Sequence, residues 1–455
     1  MKLFLNSTAS GLKKIKKNLI LFILLFCCAF SVAADESKSE DTISGDIFGK
    51  GGGYIHPSLT VGGIYSDNIF NTEKDTKDDF IWVISPEIWL ALPGTRIKLV
   101  DLPVSPKTPA GFTLSRSNPE AFRRYQAYLS YGADFYRYTD YTEEDKESHR
   151  LEGLFQYNFR GGLSIELVGQ YVDTFDPVGV APFTRHDEYT EGLFNAILSY
   201  DITEKFKLRL DFTHIDLNYD DRPLDEIPLI GRDRQDNGYS GYLFFKIRPK
   251  TSIFAQYRFI DIDYDINVLA DDSDEHHYFG GVQWRLTPKS KGSLKLGYGV
   301  KDFHDNEELD DESNFIFEGE FRHLFTPKTS LSLAGFGRTD ETTIYDTNYV
   351  LTYGLSAQYN QRITEKLTGH LFFSYAWDQY QGEITFDDQT KEREDDLIRI
   401  RPSLRYEFTR WLMADAAYMY TKRDSNFSIF DFTENRFSIR ISLSLYNRSS
   451  EISDN

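Results

Sequence analysis

The sequence has 455 residues and a formal net charge of −20 at pH 7, and aromatic residues make up 15% of it. Such an acidic chain has no general positive field to attract nucleic acid, so we expect no nucleic-acid partner. The length alone would allow roughly two or three globular domains. Because no Pro/Gly/Ser-rich linker divides the chain after residue 57, one large domain is predicted instead.

The first 34 residues have the pattern of a secretory signal peptide. A basic region ending at Lys17 precedes the apolar run Leu19–Phe30, and small residues follow up to Ala34. We predict cleavage after Ala33 or Ala34. A retained membrane helix is the alternative, but the run is well short of the roughly 20 residues that a bilayer crossing requires.

Both cysteines, Cys27 and Cys28, lie inside this signal, so the mature chain is predicted to contain no disulfide. The signal also carries five lysines and no acidic residue, and its removal makes the mature chain more acidic. The stretch Ala34–Gly53 is polar and ends in three glycines, which indicates that residues 35–57 form a flexible periplasmic segment.

From Ser58 onward, polar and apolar residues alternate. Clear examples are Lys207–Phe212, Arg399–Phe408 and Ser438–Leu445. Alternation with a period of two places one set of side chains on each face of a β-strand. Many of the segments run for about 10 to 15 residues, as long as a tilted membrane strand and longer than most strands of soluble proteins.

Two kinds of connection separate these segments. One kind is short and recurs along the chain: Arg160–Gly162, Thr203–Lys205, Pro249–Lys250, Thr287–Lys289, Thr326–Lys328, Thr364–Lys366 and Thr409–Arg410. The other kind lies between them and is longer and acidic: Asp140–Lys146, Asp220–Asp233, Asp271–Glu275, Asp305–Asp311 and Asp387–Asp396. Short turns at one end and longer loops at the other are typical of outer-membrane barrels.

No second apolar run is long enough for a membrane helix, and only helices and closed barrels satisfy every backbone group in lipid. We therefore predict an all-β chain in which residues 58–447 form one transmembrane antiparallel β-barrel of about eighteen strands, with sixteen also acceptable. A polar tail, residues 448–455, would follow. The even number of strands predicts a bacterial outer-membrane location with both termini in the periplasm. Expected partners are outer-membrane lipid, lipopolysaccharide and the barrel-assembly machinery.

One insertion, Lys98–Phe122, interrupts this rhythm. It contains four prolines and falls where a short turn is expected. It could be a periplasmic contact element or a tolerated plain loop, and we favour the plain loop. No loop stands out as a plug or constriction of the lumen.

Candidate chemistry is sparse. His276 and His277 follow Asp271, Asp272, Asp274 and Glu275, which could bind a divalent cation. We favour a solvated acidic external loop, because the spacing is no known ligand pattern. No catalytic signature frames any Ser, His or Asp, so we expect neither an enzyme nor a cofactor or metal site.

The lumen-facing charges are the best functional indication. Rows of cations inside a pore favour anionic solutes, and tyrosines can stack on sugar rings. The candidate pore-lining residues are Arg399, Arg401 and Arg405 on one strand, Arg436 and Arg440 on the last, Lys207 and Arg209 on an earlier one, and Tyr128, Tyr136 and Tyr138. The alternative is a polar lumen whose charges pair across strands, because Asp211, Asp415 and Glu407 lie among these cations.

The chain resembles the β-barrel porin type 2 family, in recognisable motif over Ser58–Asp134 and in rhythm over most of the chain after the signal. The resemblance rests on Tyr65–Phe70, Asp78–Phe80, Ser85–Ile88 and Tyr131–Asp134. It implies an outer-membrane barrel, encoded with exopolysaccharide or capsule systems, that helps a polysaccharide to cross or assemble at the outer membrane. Polysaccharide and periplasmic export components are then further expected partners. The proline-rich insertion departs from the plain hairpin expected at that position.

Together these observations predict passage of a hydrophilic, anionic saccharide through a polar lumen, in export or assembly of an exopolysaccharide or capsular polysaccharide. A general diffusion porin for small hydrophilic solutes is one alternative. A plugged barrel with a structural or surface-attachment role is another.

Overall fold

The computed structural model describes residues 53–95, 98–100, 102, 105–110, 124–176, 187–220, 232–265, 272–287, 289–304, 312–342, 347–386 and 388–444. The predicted signal peptide, all but the last five residues of the predicted periplasmic segment, and the predicted polar tail lie outside these ranges.

Eighteen antiparallel strands form one closed sheet. They are β1 (Ile55–Ser66), β2 (Asp79–Leu92), β3 (Tyr125–Tyr138), β4 (Lys146–Asn158), β5 (Leu163–Asp176), β6 (Asp187–Asp201), β7 (Phe206–Tyr219), β8 (Arg234–Arg248), β9 (Thr251–Tyr264), β10 (Ser273–Thr287), β11 (Ser290–Phe303), β12 (Glu312–Thr326), β13 (Thr329–Asp340), β14 (Tyr349–Arg362), β15 (Leu367–Phe386), β16 (Gln389–Glu407), β17 (Leu412–Ser425) and β18 (Phe432–Ser444). Two single-turn 3₁₀ helices, Thr142–Glu144 and Ser428–Phe430, lie in loops. Each strand pairs with its sequence neighbours, and β1 closes the barrel on β18, with Ser58 opposite Ser444 and Ser66 opposite Arg436. The predicted antiparallel barrel of eighteen strands is confirmed.

The barrel carries its apolar side chains on the outside. Trp82, Phe437 and Ile439 are 55%, 54% and 66% exposed, and each belongs to the apolar half of its alternating strand. The polar half points into the lumen, the reverse of a soluble protein, and this matches a barrel whose outer face meets lipid. Among the described residues, no helix is long and apolar enough to cross a bilayer.

The two ends of the barrel differ. We call them the tight-turn end, where β1 begins and β18 ends, and the long-loop end. At five tight turns a threonine hydroxyl accepts a backbone N–H from two residues further on, at 3.1 to 3.3 Å. The threonines are Thr203, Thr287, Thr326, Thr364 and Thr409. This side-chain bond is the reason that Thr recurs at these turns in the sequence.

Two predicted loops are instead parts of strands. β15 and β16 have 20 and 19 residues, and their hairpin turns at Asp388, which has a φ of +59°. The prediction of a polar loop over Asp387–Asp396 is therefore wrong. The hairpin is stabilised beyond the rim because Phe386 packs edge-on against Phe430, with ring centroids 5.2 Å apart. The predicted loop at Asp271–Glu275 likewise ends early, because β10 begins at Ser273.

The two faces of one strand give a direct test of this membrane orientation. Leu355 points outward from the middle of β14 and is 52% exposed, while the next residue, Ser356, points into the lumen. We expect Leu355→Lys to destabilise the barrel by about 2–4 kcal/mol, because it places an ammonium in lipid. Ser356→Lys should cost far less. Urea unfolding of both variants in lipid vesicles measures the difference, and equal losses would contradict a lipid-facing outer surface.

Candidate functional site: the barrel lumen

The insertion between β2 and β3 enters the lumen. Near its start, Lys98 Nζ lies 2.8 Å from Glu87 Oε1 on β2. Val100 and Leu102 are then buried against lumen-facing Trp89 and Tyr128, within a larger apolar cluster on the inner wall. That cluster also contains Ala91, Leu154, Val168, Leu193 and Ile215, from strands β2 to β7. Val100 and Leu102 of the insertion thus cover an apolar patch on the inner wall of an otherwise polar lumen.

Hydrogen bonds between wall side chains and the backbone of Leu102 fix the insertion to this wall. Glu152 Oε1 on β4 accepts the Leu102 N–H at 2.9 Å, and Gln170 Nε2 on β5 donates to the Leu102 carbonyl at 3.2 Å. Glu152 is fully buried, so its carboxylate depends on such donors. Leu102 is therefore held on both its donor and its acceptor side.

Residues 105–110 then cross to the opposite wall near the long-loop end. The Pro106 carbonyl accepts from Arg234 on β8 at 2.8 Å, and the Lys107 carbonyl accepts the Glu341 N–H at 2.7 Å. Thr108 Oγ1 donates to Asp340 at the end of β13 at 2.9 Å. We call residues 98–110 the luminal segment, because they touch strands on both sides of the lumen.

A buried charge network anchors this crossing. Lys301 on β11 lies 2.8 Å from Glu341 and 3.2 Å from Glu275, and all three side chains are 1% exposed. Tyr264 donates to Glu341 at 2.6 Å, and Thr339 donates to Glu275 at 3.0 Å. The network holds Glu341 where its backbone N–H meets the luminal segment.

Removing the cation should break this anchor. We expect Lys301→Met to lower the free energy of unfolding by about 3–5 kcal/mol, because two buried carboxylates lose their shared cation. Urea unfolding in vesicles provides the measurement. The control is Lys422→Met, which breaks the exposed 2.8 Å pair with Asp424 and should change little. Equal effects of the two substitutions would show that the network is not an anchor.

The interpretation of Lys98–Phe122 as a plain loop is therefore wrong for its described residues, which lie in the lumen although no loop in the sequence stands out as a plug or constriction. The sequence did hold one indication, since Val100 and Leu102 are apolar residues in a position where the other turns are polar. Its destination could not be predicted, because the segment's partners come from strands spread over most of the chain.

All five predicted arginines of β16 and β18 point into the lumen. Arg399 and Arg401 are exposed there. Arg405 lies 2.7 Å from Asp415, and Arg436 lies 2.7 Å from Glu434. Within the described part of the chain, no carboxylate lies at ion-pair distance from Arg399, Arg401 or Arg440. Some of these charges therefore pair, Arg405 across strands and Arg436 along β18, and others have no ion pair within the described residues; that the cations favour anionic solutes stays a prediction. We call the five residues the arginine row.

The other two predicted cations lie elsewhere in the barrel. Arg209 on β7 is buried and paired with Asp211, and its guanidinium lies 4.9 Å from the Tyr242 ring centroid. Lys207 lies nearer the tight-turn end and lines a cavity of about 570 Å³ with Lys246. These cations on β7 are therefore not part of the arginine row.

The three predicted tyrosines all point inward but are mostly covered. Tyr128 is fully buried beneath the luminal segment, and Tyr138 is 8% exposed in a cluster with Ile64 and Ile69. Only Tyr136 is half-buried. Tyr128 and Tyr138 are therefore parts of internal packing, not platforms for a solute.

The structure also corrects the interpretation of His276–His277 as a solvated loop. Both lie in β10, where His277 is buried and His276 stacks on Tyr257 on the outer face. Asp274 on β10 lies 3.0 Å from His304, which directly follows β11, and this hydrogen bond raises the pKa of the His304 imidazole. In the described ranges, no group of three or more His, Cys, Asp or Glu side chains is arranged to hold a metal.

The arrangement leaves the lumen asymmetric. The luminal segment covers the inner wall of β2 to β9 and reaches β13, while the arginine row lines β16 and β18 on the side that the described residues of the segment leave uncovered. Lys107 is the side chain of the segment that faces this side, towards Asp378 and Tyr380. Burial lowers the pKa of its ammonium, but the electrostatic interactions with Tyr380 and the Asp378 carboxylate outweigh burial and raise that pKa overall.

Comparisons with solved structures find outer-membrane porins. OccAB4 of Acinetobacter baumannii has 9% identity and a TM-score of 0.43, covering 87% of this chain and 99% of that one. Pseudomonas aeruginosa OpdO has 12% identity and a TM-score of 0.42, with coverage of 86% and 98%. A BenF-like porin of Pseudomonas fluorescens Pf-5 has 12% identity and a TM-score of 0.43, with the same coverage. At such low scores and identities, these likenesses say nothing about the solute.

Curated proteins give no match to the chain. A family model does match, described as "Putative beta-barrel porin 2", over residues 117–445. The match begins after Tyr65–Phe70, so the first motifs of the resemblance lie before it, while most of the barrel lies within it. The family is one of porins, which carry solutes across the outer membrane and are not enzymes. Because the match spans well over half of the chain, this barrel belongs to the beta-barrel porin 2 family.

Proposed function

We propose that this porin-like barrel conducts acidic saccharides across the outer membrane, with the arginine row as the electrostatic contact. One observation supports this most directly: Arg399 and Arg401 face the uncovered side of the lumen, exposed and without an ion-pair partner among the described residues. Unpaired cations along a pore wall attract anions and set its selectivity.

The wall beside the arginine row suits a hydroxylated solute. Ser374 lies directly opposite Arg399 on β15, and Ser403 lies opposite His370. The neighbouring strand β14 adds lumen-facing Ser356 and Gln358. Short hydroxyls and an amide beside a guanidinium can bind both the hydroxyls and the carboxylate of a sugar acid. Export or assembly of an exopolysaccharide or capsular polysaccharide is the setting that we propose for this passage, with both termini in the periplasm.

A general porin for small hydrophilic solutes is the second candidate. The luminal segment favours it, because a segment that crosses the lumen leaves less room for a polymer. A plugged barrel with a structural role is the limiting case, in which the segment and the residues around it close the passage completely.

Single-channel recording in a planar bilayer distinguishes these functions. The probe is an oligogalacturonate added to one side, with a neutral oligosaccharide of equal length as the control. Passage of acidic saccharides predicts a steady anion-selective conductance that the oligogalacturonate blocks and the neutral sugar blocks more weakly. Equal indifference to both sugars would indicate a general porin, and absence of conductance would indicate a plugged barrel.

A further inference from the structure

A second cavity lies away from the arginine row, between the luminal segment and the inner wall of β9 to β13. Its volume is about 260 Å³, enough for a single sugar ring and not for a longer chain. Thr108 and Pro109 of the luminal segment form one side of it. The wall contributes Phe254, Phe279 and Ile316, so most of the lining surface is apolar. We call this space the side chamber.

Two glycines on β11 shape the wall of the side chamber. A side chain at Gly297 would lie 2.5 Å from the Phe279 ring, and one at Gly299 would lie 3.0 Å from the His277 ring. Because neither glycine has a side chain, both rings fold against the wall and leave the chamber open. The glycines therefore make room for both the cavity and its aromatic lining.

Polar groups meet in this apolar space. His277 lies 3.0 Å from Glu275 through Nε2, so the ring donates from Nε2 and keeps a lone pair on Nδ1. That Nδ1 is buried and has no hydrogen-bond partner in the described residues, and the same holds for Glu318 Oε1 on β12. Lys295 pairs with Glu318 and lies 4.5 Å from the Phe279 ring centroid. The chamber wall thus holds two acceptors without donors just below its surface, beside a buried ammonium, and the Arg258 guanidinium lines the same space.

Buried acceptors without donors cost free energy, and a ligand that supplies hydroxyl donors removes that cost. A carboxylate ligand would satisfy Lys295 but would offer no hydrogen to His277 or Glu318. A pyranose offers what the chamber lacks: adjacent hydroxyls that donate to two acceptors, one oxygen that accepts from an ammonium, and a C–H face that packs on apolar side chains.

We propose that the side chamber is a binding site for a single neutral pyranose ring. Once the side chains that cover them move aside, His277 Nδ1 and Glu318 Oε1 each accept a hydrogen bond from a sugar hydroxyl. A third hydroxyl accepts from Lys295 Nζ, and the C–H face packs against Phe279 and Ile316. The site goes beyond the proposed passage along the arginine row, because a sugar can bind here whether or not it crosses the membrane.

The test is saturation-transfer NMR and calorimetry on the full-length folded barrel in detergent. The probes are the methyl glycosides of glucose, galactose and mannose, with sodium acetate as the anionic comparison. We expect saturable binding of at least one glycoside and none of acetate. Two variants change the chamber: Ala334→Trp fills it from β13, and Lys295→Met with Glu318→Leu removes the ammonium together with its carboxylate, so neither is left buried without its partner. Arg401→Gln is the control on the other side of the lumen.

The proposal requires that Ala334→Trp abolish glycoside binding, that the double variant weaken it at least about tenfold, which is the loss of about 1.4 kcal/mol, and that Arg401→Gln leave it unchanged. The shift in gel mobility on heating confirms that each variant has folded. Binding of no glycoside, binding of acetate alone, or binding that survives Ala334→Trp would each overturn the proposal. If Arg401→Gln loses anion-selective conductance but still binds the glycoside, the sugar site in the side chamber is independent of the proposed passage along the arginine row.

Discussion

Replacing residues 94–123 with the chain's own turn sequence Thr-Glu-Lys is expected to raise single-channel conductance severalfold. The replacement joins β2 to β3 as β6 is joined to β7, so the barrel wall keeps its register. What it removes is the luminal segment, which contacts β2 and β4 at one side and the end of β13 at the other. Conductance follows the open cross-section of a pore, so the loss of this crossing enlarges the passage.

The large replacement also uncovers the apolar cluster around Trp89 and Tyr128, which can weaken folding. A milder variant, Lys107→Ala, leaves the segment anchored and shortens only the side chain that lies near Asp378 and Tyr380 on β15. It should raise conductance modestly and reduce anion preference. If both variants fold, as judged by heat-dependent gel mobility, and both conduct like the parent, the luminal segment is not the constriction.

The barrel could be predicted from the sequence because the patterns and bonds that form its strands and tight turns involve residues close together in the chain. Alternation along Lys207–Phe212 or Ser438–Leu445 depends only on which face each residue occupies, and the Thr-containing turns form bonds between residues two or three apart. The β15–β16 hairpin was mistaken for a loop because Asp387–Asp396 is acidic. Its stability comes instead from Phe386 packing on Phe427 and Phe430, which lie about forty residues further along the chain.

The interior of the barrel was less predictable because its contacts join residues that are far apart in the chain. Alternation correctly places Arg399 and Arg401 in the lumen, but it cannot say which cations have partners. It also cannot show that Tyr128 is covered, since the cover comes from Val100 and Leu102 across an insertion. Nor does it reveal the side chamber, which needs Thr108 of that insertion to meet five wall strands.

The second large effect is expected from the arginine row itself. The double substitution Arg399→Gln with Arg401→Gln should abolish the anion preference and weaken the block by oligogalacturonate, while leaving conductance in neutral sugar nearly unchanged. Both guanidiniums face the lumen without an ion-pair partner among the described residues, so their charge acts on the solute and not on a neighbouring carboxylate. Glutamine keeps much of the length and the hydrogen-bonding ability, so the change is mainly electrostatic. The reversal potential under a KCl gradient measures it.

A matched control separates this local effect from the net charge of the barrel. Lys422→Gln removes a positive charge from the outer face of β17, near the long-loop end, and should leave the reversal potential in place. Arg405→Gln is informative in a different way: Arg405 lies 2.7 Å from Asp415, so its loss exposes a carboxylate and should shift selectivity further per charge than loss of Arg401. If Lys422→Gln shifts the potential as much as the double substitution does, selectivity comes from the overall field and not from the arginine row. Because the chain has a formal net charge of −20 at pH 7, a general field would favour cations, so any anion preference must originate inside the lumen.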